Sequence, residues 1–275
     1  MTTDFDLSAY LARVGLEPQT TGRPRLDQLQ QAQIRTIPFE NILPFLGRVP
    51  ETGPADVFAK LVPGRCGGFC FELNTLFAEA LTALDFSFRP VMARVRMGAE
   101  RGGARTHLAF VVDLDGDEWL ADTGFGGQGP ALPLRLAETG EQTAGGKTYR
   151  IHKDDAEGEQ VLEVRLDGDW FPLYGFDRVP VKPGDIEAAT FVCALSPRQS
   201  FRNTLKAFRR TETGTVSFLD GRARWTGKGD EREEKLCSAR ELISFMHEDM
   251  GLAYPEENLT AAWDRLQDLH TQQAG

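Results

Sequence analysis

Three residues of the chain, Cys70, His107 and Asp122, have the side-chain types that nucleophilic acyl transfer requires. A thiol becomes a strong nucleophile when a base takes its proton, and an imidazole base works best when a carboxylate orients it. The chain contains only four cysteines and four histidines. Because both residue types are rare here, a cysteine and a histidine that both stand in suitable motifs are less expected by chance. The sequence therefore predicts a catalytic set with Cys70 as the nucleophile.

The surroundings of Cys70 favour a reactive thiol. The residue follows the glycine pair Gly67-Gly68 and opens a helical pattern. Apolar residues recur after it at the spacing of a buried helix, at Leu73, Leu76, Phe77, Ala80, Leu81 and Leu84. The partial positive charge of a helix N-terminus, together with an imidazolium, favours the thiolate. A buried, inert cysteine is the alternative interpretation, since that is the commoner fate of this residue type.

The pairing of His107 with Asp122 follows from a predicted hairpin. Asp115-Gly116 is a turn dipeptide between two extended-looking runs. If it forms a two-residue loop, Asp122 lies opposite Ala109 and shares a sheet face with His107, its diagonal neighbour at about 7–8 Å. A three-residue loop would place the two side chains on opposite faces. The alternative interpretation of His107 is a strand histidine that a neighbour merely satisfies.

A glycine-rich segment, residues 124–129, follows the strand of Asp122. It is a poor dinucleotide fingerprint, because Pro130 and Pro133 follow it instead of a helix. Its free N–H groups could hold a phosphate or an acyl oxygen. A simple tight turn is an equally open interpretation.

Composition argues against several classes of function. The chain has 275 residues, of which 41% are hydrophobic and 26% charged, as in ordinary globular proteins. A net charge of −10 argues against broad binding of nucleic acid or anionic membranes, although a local basic pocket for a phosphorylated ligand stays open. No apolar run is long enough to span a bilayer, and the acidic start lacks a signal pattern, so we expect a cytoplasmic protein.

The four cysteines do not predict a disulfide framework or a metal centre. They are sparse for a chain of this size. Cys66 and Cys70 are four residues apart, which is not the usual zinc-ligand spacing, and no second pair accompanies them. We therefore expect no metal.

Periodicity divides the chain into three parts. Helical spacing over residues 5–14 and 26–34 ends at Pro38, while alternating residues 91–97 and a second turn dipeptide, Asp167-Gly168, indicate strands. Residues 137–160 are read as an exposed loop or an edge hairpin, residues 215–225 as a hairpin, and Glu231 to Met250 as a closing helix. These patterns predict a helical domain over residues 1–86, an antiparallel β domain over 87–190 and a mixed lid over 191–275.

With these residues in view, the chain resembles the arylamine N-acetyltransferases over nearly its whole length. The resemblance rests on separated motifs that occur in the right order: Ile37-Pro38-Phe39-Glu40-Asn41, Gly67-Gly68-Phe69-Cys70-Phe71-Glu72-Leu73-Asn74, Arg105-Thr106-His107, Asp122-Thr123-Gly124-Phe125-Gly126-Gly127, and Ser196-Pro197 through Phe201.

The resemblance implies an α+β fold with an N-terminal helical bundle, a central antiparallel β-barrel and a C-terminal α/β lid, around a core like that of cysteine proteases and transglutaminases. It implies Cys70 as acetyl acceptor, His107 as base and Asp122 as orienter. Phe125 matches a position that contacts the arylamine, and Phe39 matches one that lines the same pocket.

The resemblance also implies acetyl-CoA as donor and co-substrate, with Gly124, Gly126 and Gly127 as its expected contacts. One departure from the family pattern is Cys66, which stands between Arg65 and the glycine pair. Glu72 is expected to form a structural ion pair with a nearby arginine, and the family pattern implies Arg65. Because Cys66 displaces Arg65 by one residue, this particular pairing is left open.

The function expected from these features is ping-pong acetyl transfer, through a Cys70 thioester, to a small aromatic amine, hydrazine or N-hydroxyarylamine. The alternatives are a related amide synthase that closes a macrolactam and a transglutaminase-like cysteine hydrolase. A non-catalytic binding module is a further alternative. Neither nucleic acid nor a membrane is an expected partner.

Overall fold

The N-terminal third is helical, as the apolar spacing predicts. The computed structural model describes residues 5–17, 23–138, 140–227 and 230–274. Its first helices are α1 (Leu7–Val14), α2 (Arg23–Thr36), α3 (Ile42–Phe45), α4 (Pro54–Leu61) and α5 (Cys70–Ala83). The Asp6 carboxylate caps α1 by accepting from the Ala9 N–H at 2.9 Å, and Gly15 ends the helix in the left-handed conformation. The prediction that a buried helix begins at Cys70 is confirmed.

An eight-stranded antiparallel sheet forms the middle of the molecule. Its strands are β2 (Ser87–Val95), β3 (Arg105–Leu114), β4 (Asp117–Ala121), β5 (Leu134–Arg135), β6 (Gln142–Ala144), β7 (Lys147–Asp154), β8 (Glu159–Leu166) and β9 (Asp169–Phe176). They lie in the order β5-β4-β3-β2-β9-β8-β7-β6. The side-chain amide of Gln142 joins the two edges, accepting from the Arg135 N–H at 2.8 Å and donating to the Arg135 carbonyl at 2.9 Å. The sheet is thus a nearly closed barrel.

Both turn dipeptides form two-residue hairpin loops, as predicted. Leu114 pairs with Asp117 across the first loop, and Leu166 pairs with Asp169 across the second. Asp115 and Gly116 have φ values of 54° and 83°, the left-handed region that such loops require. The edge-hairpin interpretation of residues 137–160 matches strands β6 and β7, while Thr139 lies outside the described residues.

A second antiparallel sheet lies toward the C-terminus. Its strands are β1 (Phe39–Glu40), β10 (Lys206–Arg210), β11 (Gly214–Leu219), β12 (Arg222–Gly227) and β13 (Asp230–Lys235), in that order. The last helices are α6 (Pro183–Leu195), α7 (Ala239–Ser244) and α8 (Glu256–Ala274). A 3-10 turn at Ser200–Arg202 precedes β10, and a π-helical turn at Phe245–Asp249 continues α7.

The predicted closing helix from Glu231 to Met250 is wrong in its first part. Residues 230–235 form β13, because cross-strand pairing overrides the helical preference of this charged run. Arg222 and Arg224 of β12 form ion pairs with glutamates of β13, and Arg232 lies 3.9 Å from the ring centroid of Trp225. The long final helix, α8, begins instead just after Pro255.

The division of the chain at residues 86 and 190 stays a prediction. Helix α6 runs across residue 190, and β1, from the first range, pairs with β10 of the third. Within the described part of the chain, no helix has both the length and the apolar character needed to cross a membrane.

Candidate active site

The two strands of the first hairpin bring His107 and Asp122 into contact. His107 lies on β3, and Asp122 directly follows β4, whose register is the one that the two-residue loop predicts. His107 Nε2 lies 2.7 Å from Asp122 Oδ2. Both residues are 2% exposed, so the pair is almost free of competing water. The His–Asp contact predicted from the turn alone is confirmed.

Three further groups fix the Asp122 carboxylate. Tyr174 of β9 donates its hydroxyl to Oδ2 at 3.0 Å. Asn74 Nδ2 and the Gly124 N–H donate to Oδ1 at 3.0 and 2.8 Å. Burial by itself would raise the pKa of Asp122, but the charge and hydrogen bond of His107, with the donors Asn74 and Gly124, hold it below its usual value. Asp122 is thus held as a carboxylate.

Sequence reasoning gave no role to Tyr174 or Asn74. Asn74 lies one helical turn after Cys70 on α5, so the i, i+4 spacing was an available signal that it faces the same site. Tyr174 lies 52 residues beyond Asp122 in the chain, and only the barrel brings the two together. No sequence signal in one chain could have found it.

Cys70 is the first residue of α5, and its sulfur faces the strand that carries His107. Cys70 Sγ donates to the Thr106 carbonyl at 3.7 Å, and Thr106 is the neighbour of His107 in β3. Cys193 of α6 donates to the same carbonyl at 3.5 Å. Since Cys70 is only 4% exposed, access to its sulfur runs through the internal cavity described below.

Burial raises the pKa of the Cys70 thiol well above its usual value, and Cys193 and Asp122 add to the effect. The backbone N–H groups of Phe71 and Leu108 act in the opposite direction. The sequence favoured a thiolate because of the helix N-terminus and an imidazolium, whereas burial favours the neutral thiol. Ionisation of Cys70 therefore has to be coupled to a nearby proton acceptor.

Behind Cys70, Glu72 fixes the start of α5. Its carboxylate accepts from the Phe69 N–H at 3.2 Å and from Lys60 Nζ at 2.7 Å. Lys60 also forms an ion pair with Glu40 at 3.4 Å. The ion pair predicted for Glu72 is therefore made with Lys60 of α4 and not with Arg65. The displacement of Arg65 by Cys66 is consistent with this exchange of partner.

Gly124 is required where the glycine-rich segment passes the start of α5. A Cβ at this position would lie 2.8 Å from Cys70 Cα and 2.5 Å from Asn74 Nδ2. Gly126, with φ of 68°, passes Phe39, whose Cγ would lie 3.1 Å from an added Cβ. The Gly124 N–H is already used by Asp122. The predicted contacts of Gly124, Gly126 and Gly127 with acetyl-CoA stay a prediction.

A cavity of about 280 Å³ opens onto Cys70 and His107. Phe39, Phe125, Phe201 and Phe208 contribute its aromatic walls. The Phe125 ring stands edge-on to His107, with centroids 5.1 Å apart, and also contacts Tyr174. A largely apolar pocket that ends at a thiol and an imidazole suits a small aromatic substrate. The sequence-predicted residues Phe39 and Phe125 both line it.

Among the residues that the structure describes, no three histidine, cysteine or acidic side chains gather as metal ligands would. The ionisable groups that surround Cys70 are the Cys193 thiol, the His107 imidazole and the Asp122 carboxylate, and the carboxylate is used by the imidazole. The geometry thus suits proton transfer between side chains.

Proteins of known identity resemble this chain in sequence and in fold. The family model described as N-acetyltransferase matches residues 24–259. An arylamine N-acetyltransferase of Mycolicibacterium smegmatis is 33% identical over 254 residues, which cover 88% of this chain and 86% of that protein. The arylamine N-acetyltransferase structure from Salmonella typhimurium has a TM-score of 0.88 and 28% identity, covering 94% of this chain and 97% of its own.

Two further relatives bear on the reaction. The Mycobacterium marinum arylamine N-acetyltransferase in complex with CoA has a TM-score of 0.86 at 26% identity, covering 95% of this chain and 99% of its own. Proansamycin X synthase of Amycolatopsis mediterranei is 31% identical over 181 residues, or 64% of this chain and 69% of that protein.

N-terminal helices, a nearly closed barrel and a C-terminal sheet with helices form the fold of the matched acetyltransferase structures, and the predicted α+β fold is confirmed. More particularly, the chain belongs to the arylamine N-acetyltransferase family and is an acetyltransferase of that family. The resemblance inferred from the motifs is likewise confirmed.

Proposed function

We propose that the protein transfers an acetyl group from acetyl-CoA to a small arylamine, arylhydrazine or N-hydroxyarylamine through a thioester on Cys70. The observation that carries this proposal is the 2.7 Å contact of His107 with Asp122, since His107 lines the same cavity as Cys70. CoA bound to a relative supports the choice of donor. Names of other relatives, including an N-hydroxyarylamine O-acetyltransferase of Salmonella typhimurium, support the choice of acceptors.

The first half-reaction begins with proton transfer from Cys70 to His107. Asp122 occupies Nε2 of the imidazole, which leaves Nδ1 as the acceptor of the thiol proton. Cys70 attacks the thioester carbonyl, its C–S bond forms, and the bond to the CoA sulfur breaks. His107 returns the proton to the departing sulfur. The buried Asp122 carboxylate stabilises the imidazolium while it carries the proton.

The second half-reaction reverses these roles. His107 takes a proton from the amine as the nitrogen attacks the acetyl carbon, and Cys70 leaves as a thiolate that regains this proton. Phe39 and Phe125 supply aromatic surface on which the ring of the acceptor can stack. Because the site is nearly closed to water, an amine that fits the cavity competes well with hydrolysis.

Intact-mass spectrometry tests both half-reactions. Acetyl-CoA alone should add one acetyl group to the protein, and the adduct should disappear when an arylamine is added. Cys70→Ser should take up no acetyl group, whereas Cys66→Ser, the matched control, should be acetylated. An adduct that survives the amine, or no adduct under single-turnover conditions, would contradict the proposal.

An amide synthase is the second candidate, and the similarity to proansamycin X synthase favours it. Such an enzyme would form the same Cys70 thioester from a much larger acyl donor. The cavity of about 280 Å³ is small for that donor and suits an acetyl group and one ring. A cysteine hydrolase would differ from both, because it would release the acyl group to water in the absence of an amine.

A further inference from the structure

A segment without regular secondary structure carries Asp122 and part of the cavity wall. Residues 122–133 join β4 to β5 and contain neither helix nor strand. Asp122 stands at the start of this segment, and Phe125 and Gln128 within it line the cavity. The pairing of β3 with β4 ends at Ala121, so the backbone N–H of Asp122 needs an acceptor outside the sheet.

The side chain of Gln30, on α2, supplies that acceptor. Its Oε1 accepts from the Asp122 N–H at 3.1 Å, and its Nε2 donates to the Pro130 carbonyl at 3.2 Å. Gln30 is fully buried, so water does not compete for these two hydrogen bonds. A side-chain amide has one acceptor and one donor end, and only one orientation of Gln30 satisfies both backbone groups. One side chain thus ties together two distant points of the segment.

Other contacts hold the segment to its surroundings in a different way. Tyr149 of β7 donates to the Gly129 carbonyl at 3.0 Å, which attaches the far end to the barrel. Asn74 of α5 accepts from the Thr123 N–H at 3.0 Å, which attaches the near end to the helix of Cys70. Each of these contacts fixes one end. The hydrogen bonds of Gln30 connect both ends with each other and with α2, so their loss would leave the ends free to shift relative to one another.

A shift of the segment would reach the imidazole directly. Asp122 Oδ2 lies 2.7 Å from His107 Nε2, and the Phe125 ring lies with its centroid 5.1 Å from that of His107. Both groups belong to the segment that Gln30 holds, so they would move together. A misplacement of about 1 Å in an active site can cost about 10²-fold in rate, even when the altered residue is far from the chemistry.

We propose that Gln30 is a positioning residue for acetyl transfer, which acts through Asp122 by fixing the segment that carries this carboxylate. Gln30 is not among the residues that line the cavity, so it does not act by contact with a substrate. This inference rests on the proposed function, because it concerns the rate of that same transfer. In a purely structural role, Gln30 would stabilise the fold and leave His107 unaffected. The two roles therefore differ in their spectra and their kinetics.

NMR of ¹⁵N-histidine-labelled protein tests the role without any transfer step. The ring nitrogen shifts of His107, one of only four histidines, report its tautomer and its hydrogen bond to Asp122. Gln30→Met keeps the size of the side chain and removes both hydrogen bonds, so it should shift the His107 resonances. Gln28→Met, at an exposed position of the same helix, is the matched control and should shift none. Unchanged His107 resonances in folded Gln30→Met would overturn the inference.

Single-turnover kinetics separate positioning from stability. At saturating acetyl-CoA, Gln30→Met should acetylate Cys70 at least about tenfold more slowly, while the half-saturating concentration of acetyl-CoA stays nearly the same. Leu29→Ala also truncates a buried side chain of α2, so it should lower the urea midpoint of unfolding and keep the acetylation rate. Equal slowing in Leu29→Ala would overturn the inference, as would a normal rate in folded Gln30→Met.

Two further measurements decide the matter if Gln30→Met does not fold. Gln30→Ser leaves room for water to bind both backbone groups, yet water does not fix the segment, so the same slowing is expected and a normal rate would overturn the inference. In the unaltered protein, the Asp122 amide should exchange its hydrogen as slowly as the amides of β4, and fast exchange would overturn it too. If the unaltered protein takes up no acetyl group, the proposed function fails, while the His107 spectra and the amide exchange still decide the role of Gln30.

Discussion

At the scale of single residues, the site depends on one buried carboxylate. Asp122 receives hydrogen bonds from an imidazole, a phenol, an amide and a backbone N–H, and its side chain has no exposed surface. This arrangement leaves the His107 ring one orientation, in which Nε2 faces Asp122 and Nδ1 is left for the thiol. A change of the carboxylate should therefore affect the tautomer of His107 before it affects the fold.

We expect the Asp122→Asn variant to fold and its kcat to fall about 10³–10⁴-fold. An amide can hold the wrong tautomer of His107 and cannot stabilise the imidazolium. Steady-state acetylation of an arylamine, with the circular dichroism melting curve as a check on folding, measures the effect. A folded variant with near-normal kcat would show that Asp122 is structural.

The two close cysteines should behave differently. Cys66 is half-buried, its thiol donates to the Gly64 carbonyl at 3.5 Å, and burial and the charge of Glu40 raise its pKa to about 11. Cys70, in contrast, lines the cavity with His107. We expect Cys66→Ser to keep at least half of the transferase activity and Cys70→Ser to have none. The opposite result in this pair of assays would identify Cys66 as the nucleophile.

At the scale of elements, the site exists where a helix start, a hairpin and a glycine-rich segment meet. Helix α5 presents Cys70, the β3–β4 hairpin presents His107 and Asp122, and Gly124 lets the chain pass between them. The side chain of Asn74 joins the helix to the hairpin, since it donates to both Asp122 and the Leu108 carbonyl. Small displacements between these elements should therefore cost activity.

Gly124→Ala tests this meeting point. The added Cβ would meet backbone atoms of Cys70 at 2.8 Å, so α5 and the segment must move apart by a few tenths of an ångström or more. We expect a loss of about 1–3 kcal/mol in stability and at least a tenfold loss of kcat/KM. Urea denaturation and steady-state kinetics measure the two effects. Gly184→Ala in α6, where no atom lies within 4 Å of an added Cβ, is the comparison and should change neither quantity by a similar amount.

At the scale of the whole molecule, one buried acidic group links folding to pH. Glu72 is 1% exposed, and burial, with some repulsion from Glu40, raises its pKa from 4.5 to about 6 although Lys60 opposes the shift. The folded state therefore holds this proton more tightly than the unfolded chain does. Its contribution to the free energy of unfolding falls as the pH rises from about 4.5 to about 6, by about 2 kcal/mol in total.

Glu72→Gln should flatten the dependence of stability on pH between about 4.5 and 6. Urea denaturation at a series of pH values in that interval measures the slope. The variant also leaves Lys60 with one carboxylate fewer, so its absolute stability should fall, and the slope is the informative quantity. Glu187→Gln, at an exposed position of α6, should keep the slope of the unaltered protein. An unchanged slope in Glu72→Gln would contradict the link.

Much of the site was within reach of the sequence because its signals are local. The apolar repeat after Cys70 determined where α5 begins, and the Asp115-Gly116 turn determined the register that joins His107 to Asp122. Side chains alternate along a strand, so a two-residue loop leaves only one choice of face. The separated motifs identified the family for the same reason, since each is a short run whose order is visible in the chain.

The tertiary structure decided what depends on residues far apart in the sequence. Tyr174 reaches Asp122 across the barrel, and Lys60 of α4 replaces Arg65 as the partner of Glu72. The charged run at residues 230–235 became a strand because β12 offered it a partner, although its local preference is helical. Burial also opposes the Cys70 thiolate that the sequence favoured, since desolvation depends on how the whole chain packs around the sulfur.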